Sequence, residues 1–228
     1  VGFAPAMHRI IVKRGASVTR PFRLLPLISR SLRDLSSSMT LEIAGLDLTI
    51  PGGAIAERGE GSIHIAFVDP LRTDLRSMPG EFHGRSAQGD SIALETLGAV
   101  YLQIHDEKGR NVKLNKPILI RFPYSGKGKP YEEVAFWNFD VTAGIWKQEG
   151  SAKILKRGKE LIVEAKIPHL SWWNLDQPLT SKASIWVKSF VTTDGRPLQI
   201  PMLSGVGVDY TGISFPYEYY EKLLSWAP

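Results

Sequence analysis

Apolar side chains recur at every second position in short runs separated by clusters of Gly, Pro, Asn and Asp, and a period of two predicts strands. Such runs occupy 8–13, 17–25, 41–50, 62–68, 91–95, 99–105, 117–122, 133–138, 160–166 and 184–191. Turn chemistry falls between them, at Lys13-Arg14-Gly15, Asp106-Glu107-Lys108-Gly109, Lys127-Gly128-Lys129-Pro130 and Thr193-Asp194-Gly195. Helical spacing is confined to 29–36, where Leu32 and Leu35 stand three apart, and to a terminal turn or short helix at 217–226. With 15 prolines and 21 glycines spread along 228 residues, few long helices can persist. The predicted fold class is all-β: antiparallel β-sandwiches in two packed subdomains with few short helices.

Composition narrows the chemistry. The chain has no cysteine, which excludes disulfides, thiolate metal sites, iron–sulfur clusters and a cysteine nucleophile. No apolar run approaches the roughly 20 residues of a membrane helix, and the first residues lack a signal-peptide pattern. Val1 reads as a cut end, so neighbouring domains of a longer protein are expected. The net charge is +5, and its location matters more than its size. Residues 1–40 hold seven basic side chains against one acid, Asp34, while the rest of the chain is nearly balanced. Those basic residues alternate with Ile10, Val12, Val18, Phe22 and Leu24, as on the wet face of a half-buried strand. No nucleic-acid motif accompanies them, so nucleic acid is not expected as a partner, and polyanion binding by this basic hairpin is an alternative.

The most specific stretch is 134–176. Trp137 and Trp146 flank an Asp140 to Gly144 turn, which reads as a hairpin with indoles facing a core; Trp172 and Trp173 follow as further anchors. Beside them stands His169-Leu170-Ser171. His64, His83 and His105 have no partner histidine at short spacing, and no metal ligand set or cofactor motif is found. Asp106 to Gly109 lacks the acids of a calcium loop, Ser125 to Lys129 lacks phosphate-loop spacing, and no Gly-x-Ser-x-Gly elbow occurs. Tyr210 and Tyr217 to Tyr220 are either a protein or glycan contact or a lid over the sandwich end.

Three resemblances attach to these residues. Gly2-Phe3-Ala4-Pro5 with the Gly15 turn and Leu24-Leu25-Pro26-Leu27 resembles the last two strands of a carboxypeptidase regulatory-like domain. The Trp137–Trp146 hairpin followed by His169-Leu170-Ser171 resembles the proteolysis-site segment of GAIN domains, although the disulfides of that segment are absent. The span 40–190 is similar to a region of cartilage intermediate layer proteins and of the astroprincin family. It shares Leu46-Asp47-Leu48-Thr49-Ile50-Pro51-Gly52-Gly53-Ala54-Ile55, Met78-Pro79-Gly80-Glu81-Phe82 and Leu97-Gly98-Ala99-Val100-Tyr101-Leu102 with them. The first of these is also similar to the start of the ankyrin and netrin-receptor sandwich.

The resemblances imply three segments: 1–38 as terminal strands of the carboxypeptidase regulatory-like sandwich plus linker, 39–177 as the GAIN-like or ankyrin-like sandwich, and 178–228 as a strand-rich extension. They imply a non-catalytic extracellular or cell-surface interaction module with a protein or glycan ligand. The alternative they carry is self-cleavage at the Leu170–Ser171 bond, with Ser171 as nucleophile and His169 as general base. On that alternative, an N-to-O acyl shift gives an ester that water opens.

Overall fold

The computed structural model describes residues 2–8, 10, 12, 14, 15, 17, 22–70, 72, 73, 75–124 and 133–176. It also describes residue 194 and the backbone of 177–179, 183–186, 205–206, 213–214 and 223–226. Eleven strands form one sheet: β1 (Ile28–Leu32), β2 (Met39–Ile43), β3 (Leu46–Ile50), β4 (Gly61–Val68), β5 (His83–Arg85), β6 (Ser91–Asp106), β7 (Ile118–Pro123), β8 (Glu133–Asp140), β9 (Ile145–Arg157), β10 (Glu160–Ile167) and β11 (Trp172–Leu179). Their order is β1-β4-β6-β11-β8-β9-β10-β7-β3-β2, with β5 pairing β6 and β9. Every pairing is antiparallel except β5 with β9. The sheet folds over, so that the β1-β4-β6-β11-β8 half and the β10-β7-β3-β2 half share one apolar core of Ile63, Ile65, Leu102, Ile104, Ile120, Val163, Ile167 and Trp173 with their neighbours. This is an all-β sandwich.

Alternation drives that burial. β3 buries Leu46, Leu48 and Ile50 and turns Asp47 and Thr49 outward, and β7 buries Ile118, Ile120 and Phe122 in the same way. β8 and β11 are different, because both of their faces are covered. On one face Phe136 and Trp173 stack with centroids 4.9 Å apart inside the main core. On the other, Trp137, Phe139, Trp146 and Trp172 form a second core with Leu75, Met78 and Leu94, closed over by Ala4, Met7, Leu25 and Leu27 from the N-terminal segment. The Trp172 indole N–H donates to Pro5 O at 2.9 Å, and the Gly80 N–H donates to Met7 O at 2.6 Å, which ties that segment down.

Several expected elements take another form. Residues 29–32, read as the start of a helix over 29–36, lie in β1, because pairing with β4 outweighs one helical spacing. The run 41–50 is a hairpin of β2 and β3, since Ala44 (φ 57°) and Gly45 (φ 75°) make a two-residue turn with both central residues left-handed. Ala44 is a poor residue there, and Ala44→Asn is expected to raise the stability by up to roughly 1 kcal/mol in a denaturant titration. The runs 91–95 and 99–105 are one strand, β6, bent at a bulge where Leu97 is the extra residue and Gly98 has φ 152°. Residues 223–226, expected in a terminal turn or helix, form a strand (β15, Leu223–Trp226) paired with β12 (Ala183–Trp186). β13 (Gly205–Val206) pairs with β14 (Ile213–Ser214). Of the expected 8–13 and 17–25 hairpin, 22–25 are irregular and most other positions lie outside the described residues.

Candidate functional site

β10 ends at Ile167, and the chain must cross to β11 in four residues, 168–171, past the β8–β9 hairpin. That short crossing holds His169, Leu170 and Ser171. The Trp173 indole N–H donates to His169 O at 3.0 Å, and the imidazole lies 4.8 Å from the Trp173 ring, so the core anchors the turn. Leu102 N–H donates to Ser171 O at 3.1 Å, which fixes the other end to β6.

Two residues that the sequence did not single out complete the arrangement. Asn138 of β8 donates from Nδ2 to Ser171 Oγ at 2.5 Å and to Trp172 O at 3.0 Å. Glu149 is the extra residue of a second bulge, because Phe136 pairs with Gly150 while Trp137 pairs with Gln148. The bulge directs its carboxylate to His169 Nε2, 3.0 Å away. Ser171 Oγ lies 3.4 Å from His169 Nδ1, a long contact, and 3.3 Å from Trp172 O. With the imidazole proton on Nε2, Glu149 accepts it and Nδ1 is left to accept from Ser171 when that hydroxyl turns from Trp172 O, to which it otherwise donates. The series Glu149–His169–Ser171 therefore has the donor order of a general-base relay. The His169 and Glu149 side chains are each about two-fifths exposed, and a cavity of about 350 Å³ lined by Gln103, Lys113, Leu114, His169 and Leu170 opens beside the turn. Leu170 and Ser171 both have negative φ; among the described residues only Ala44, besides glycines, is left-handed. The turn thus lacks that form of stored strain.

Trp137, Trp146, Trp172 and Trp173 are all at most 2 % exposed. Trp146 packs edge-on to Phe139 at 5.2 Å, across a turn that Asp140 caps by accepting from Thr142 N at 2.8 Å and Ala143 N at 2.9 Å. The Lys147 ammonium and these N–H groups hold the Asp140 carboxyl below the usual carboxylate range. His64 and His105, unrelated by spacing, meet across β4 and β6 with rings 4.6 Å apart, and His64 also contacts Ser29 and Ser62. Among the described residues no group of three or more His, Cys, Asp or Glu could hold a metal. Asp106 is occupied by its own loop, accepting from Lys108 N and Arg110 N at 2.9 Å and pairing with the Arg110 guanidinium. Ser125 to Lys129, Tyr210, Tyr217 to Tyr220 and, in the basic segment, Arg9, Lys13 and Arg20 lie outside the described residues.

The second unannounced feature is buried. Thr96, Asn174 and Asp176 are at most 1 % exposed, and Glu95 is 7 % exposed. The signal for it was present as two polar residues two apart, Asn174 and Asp176, among the aromatic and aliphatic Trp172, Trp173 and Leu175.

The fold and its turn define a β-sandwich with an aromatic double core and a half-buried histidine–serine turn at one crossing. A family model described as FAM171A1/A2/B, N-terminal, matches residues 74–176. The match spans β5 to most of β11, including both bulges and the 168–171 crossing, and falls within the span similar to the astroprincin family. Among the described residues no helix is long and apolar enough to cross a membrane.

Proposed function

We propose that this chain is a non-catalytic cell-surface module that presents its sheet edges and loops to a protein or glycan. The observation that carries this reading is the likeness of residues 74–176 to the FAM171A1/A2/B N-terminal domain, which favours a cell-surface module. The doubly covered β6–β11–β8 centre suits a rigid support, since its conformation is held by packing on both faces. A soluble fusion of the chain is expected to stain intact cells. Loss of staining after surface trypsin, but not after glycosidases, identifies a protein ligand, and the reverse pattern a glycan. No staining of any cell type and no reaction of the full-length protein with an impermeant label would sink the proposal.

The Glu149–His169–Ser171 order favours one second reading, self-cleavage. Ser171 Oγ would give its proton to His169 Nδ1 and attack the Leu170 carbonyl carbon. His169 would return that proton to the Ser171 nitrogen, which leaves as an amine, and water would open the ester to a Leu170 carboxylate and the free Ser171 hydroxyl. The ordinary backbone at 170–171 counts against it. Because β11 sits between β6 and β8, the two fragments would stay together in native solution, so the decisive measurement is a denatured mass. We expect a single species of 25.3 kDa, identical in yield to Ser171→Ala. Two fragments meeting at Ser171, lost in that variant, would replace the first reading with the second.

A further inference from the structure

Asp176 lies at the register position opposite Thr96 on β6, immediately after the β6 bulge, and its neighbour Leu175 pairs with Phe136 on β8. Its side chain is fully buried. Asn174 Nδ2 donates to Asp176 Oδ2 at 2.6 Å and also contacts Thr96 Oγ1 at 3.3 Å, while the Trp137 indole donates to the Asp176 backbone carbonyl at 3.3 Å. Two oxygens in this cluster, Asp176 Oδ1 and Asn174 Oδ1, have no hydrogen-bond partner. Among the described residues no cation pairs with Asp176. The charged group that acts on it from β6 is another acid, Glu95, and β8 supplies the uncharged Trp137.

A buried carboxylate next to a second acid and without a cation is among the most unfavourable arrangements in a protein interior. Protonation removes that charge. The 2.6 Å contact suits an O–H donating to an amide oxygen, which the Asn174 side chain offers if its amide is turned end for end. We propose that Thr96, Asn174 and Asp176 form a proton-binding site in which Asp176 is a neutral carboxylic acid, so that the folded sandwich is held more firmly in mildly acidic than in alkaline solution.

Burial is the main cause of the displaced equilibrium. It pushes the Asp176 carboxyl up to about 8, against hydrogen bonds from Thr96 and Asn174 that favour the anion, and Glu95 pushes it further up. An acid with a raised value in the folded state binds its proton more tightly when folded. Its contribution is therefore fully present below the ordinary carboxylate range and is lost as the pH rises through about 8. His64 works in the other direction, because burial and His105 lower its value and its contribution grows with pH. Comparison with a variant separates the two.

The test is urea unfolding of the whole chain at about pH 5.5 and about pH 8.5. For the wild type, relative to Asp176→Asn, the unfolding equilibrium constant should rise on the order of a hundredfold between the two. Asp176→Asn should lose this dependence. Should that variant not fold, the infrared spectrum of the wild type at neutral pH, labelled at aspartate, should contain the carbonyl stretch of a buried carboxylic acid. Equal pH dependence in both proteins, or absence of that band, overturns the proposal. Stabilisation of the wild type by calcium ions at the higher pH, absent in Asp176→Asn, would overturn it in favour of a cation at the same oxygens.

Discussion

Gly84→Ala is expected to destabilise the protein by about 3 kcal/mol, at the upper end of what overpacking a core produces. A Cβ on Gly84 would lie 2.6 Å from Trp137 Cζ3 and 2.8 Å from Leu94 Cδ1, closer than real contacts allow. Neither neighbour has room to retreat, because Trp137 is fully buried and Leu94 is 5 % exposed. The position matters for the architecture as well. β5 pairs with β6 on one side and β9 on the other, which closes the strands β5, β6, β11, β8 and β9 into a ring around the second core. Gly150→Ala, where nothing lies within 4 Å of the added Cβ, should change stability by no more than roughly 0.5 kcal/mol. Chemical denaturation of both variants provides the comparison. Adding Trp137→Leu to Gly84→Ala should recover part of the loss relative to additivity, since the smaller side chain makes the space. Strict additivity would show that the ring is not held by this contact.

Trp173→Ala should cost about 3–5 kcal/mol, the range for deleting a buried large aromatic. Trp173 is 1 % exposed, stacks on Phe136 and holds His169 through its N–H. Trp173→Phe keeps a ring against Phe136 and removes the donor, so it should cost about 1 kcal/mol for the lost hydrogen bond plus a modest cavity term. In both variants the His169 ring resonances should move in NMR spectra, because the indole 4.8 Å away no longer acts on them. Unchanged His169 resonances would mean that the turn is fixed by Leu102 and Asn138 alone.

Much of the sandwich was legible because strand burial has a period of two. β4, β7, β8 and β10 stand close to where alternation puts them, and the Trp137–Trp146 hairpin is signalled by its capped Asp140 turn. The long strand β6 was harder to recognise. Its residues 93–100 are buried without alternation, since this central strand is covered on both faces and bent at Gly98. β11 was missed as a strand for the same reason, with Trp172 through Asp176 all buried. His169 and Ser171 were visible as a short pattern. Glu149 and Asn138 were not, because one arrives through a bulge and the other from a different strand, 33 residues away in sequence from Ser171.

The amino-acid sequence by itself determined the fold class, the absence of cysteine chemistry and the aromatic residues that fill the core, because side-chain alternation and composition are local properties of the chain. Tertiary structure alone decided which strands close the ring, how two bulges aim Glu149 and accommodate Asp176, and which histidines meet. Those outcomes depend on pairing register between segments far apart in sequence. A single extra residue in one strand redirects every side chain after it, and only the paired strand reveals that it is extra.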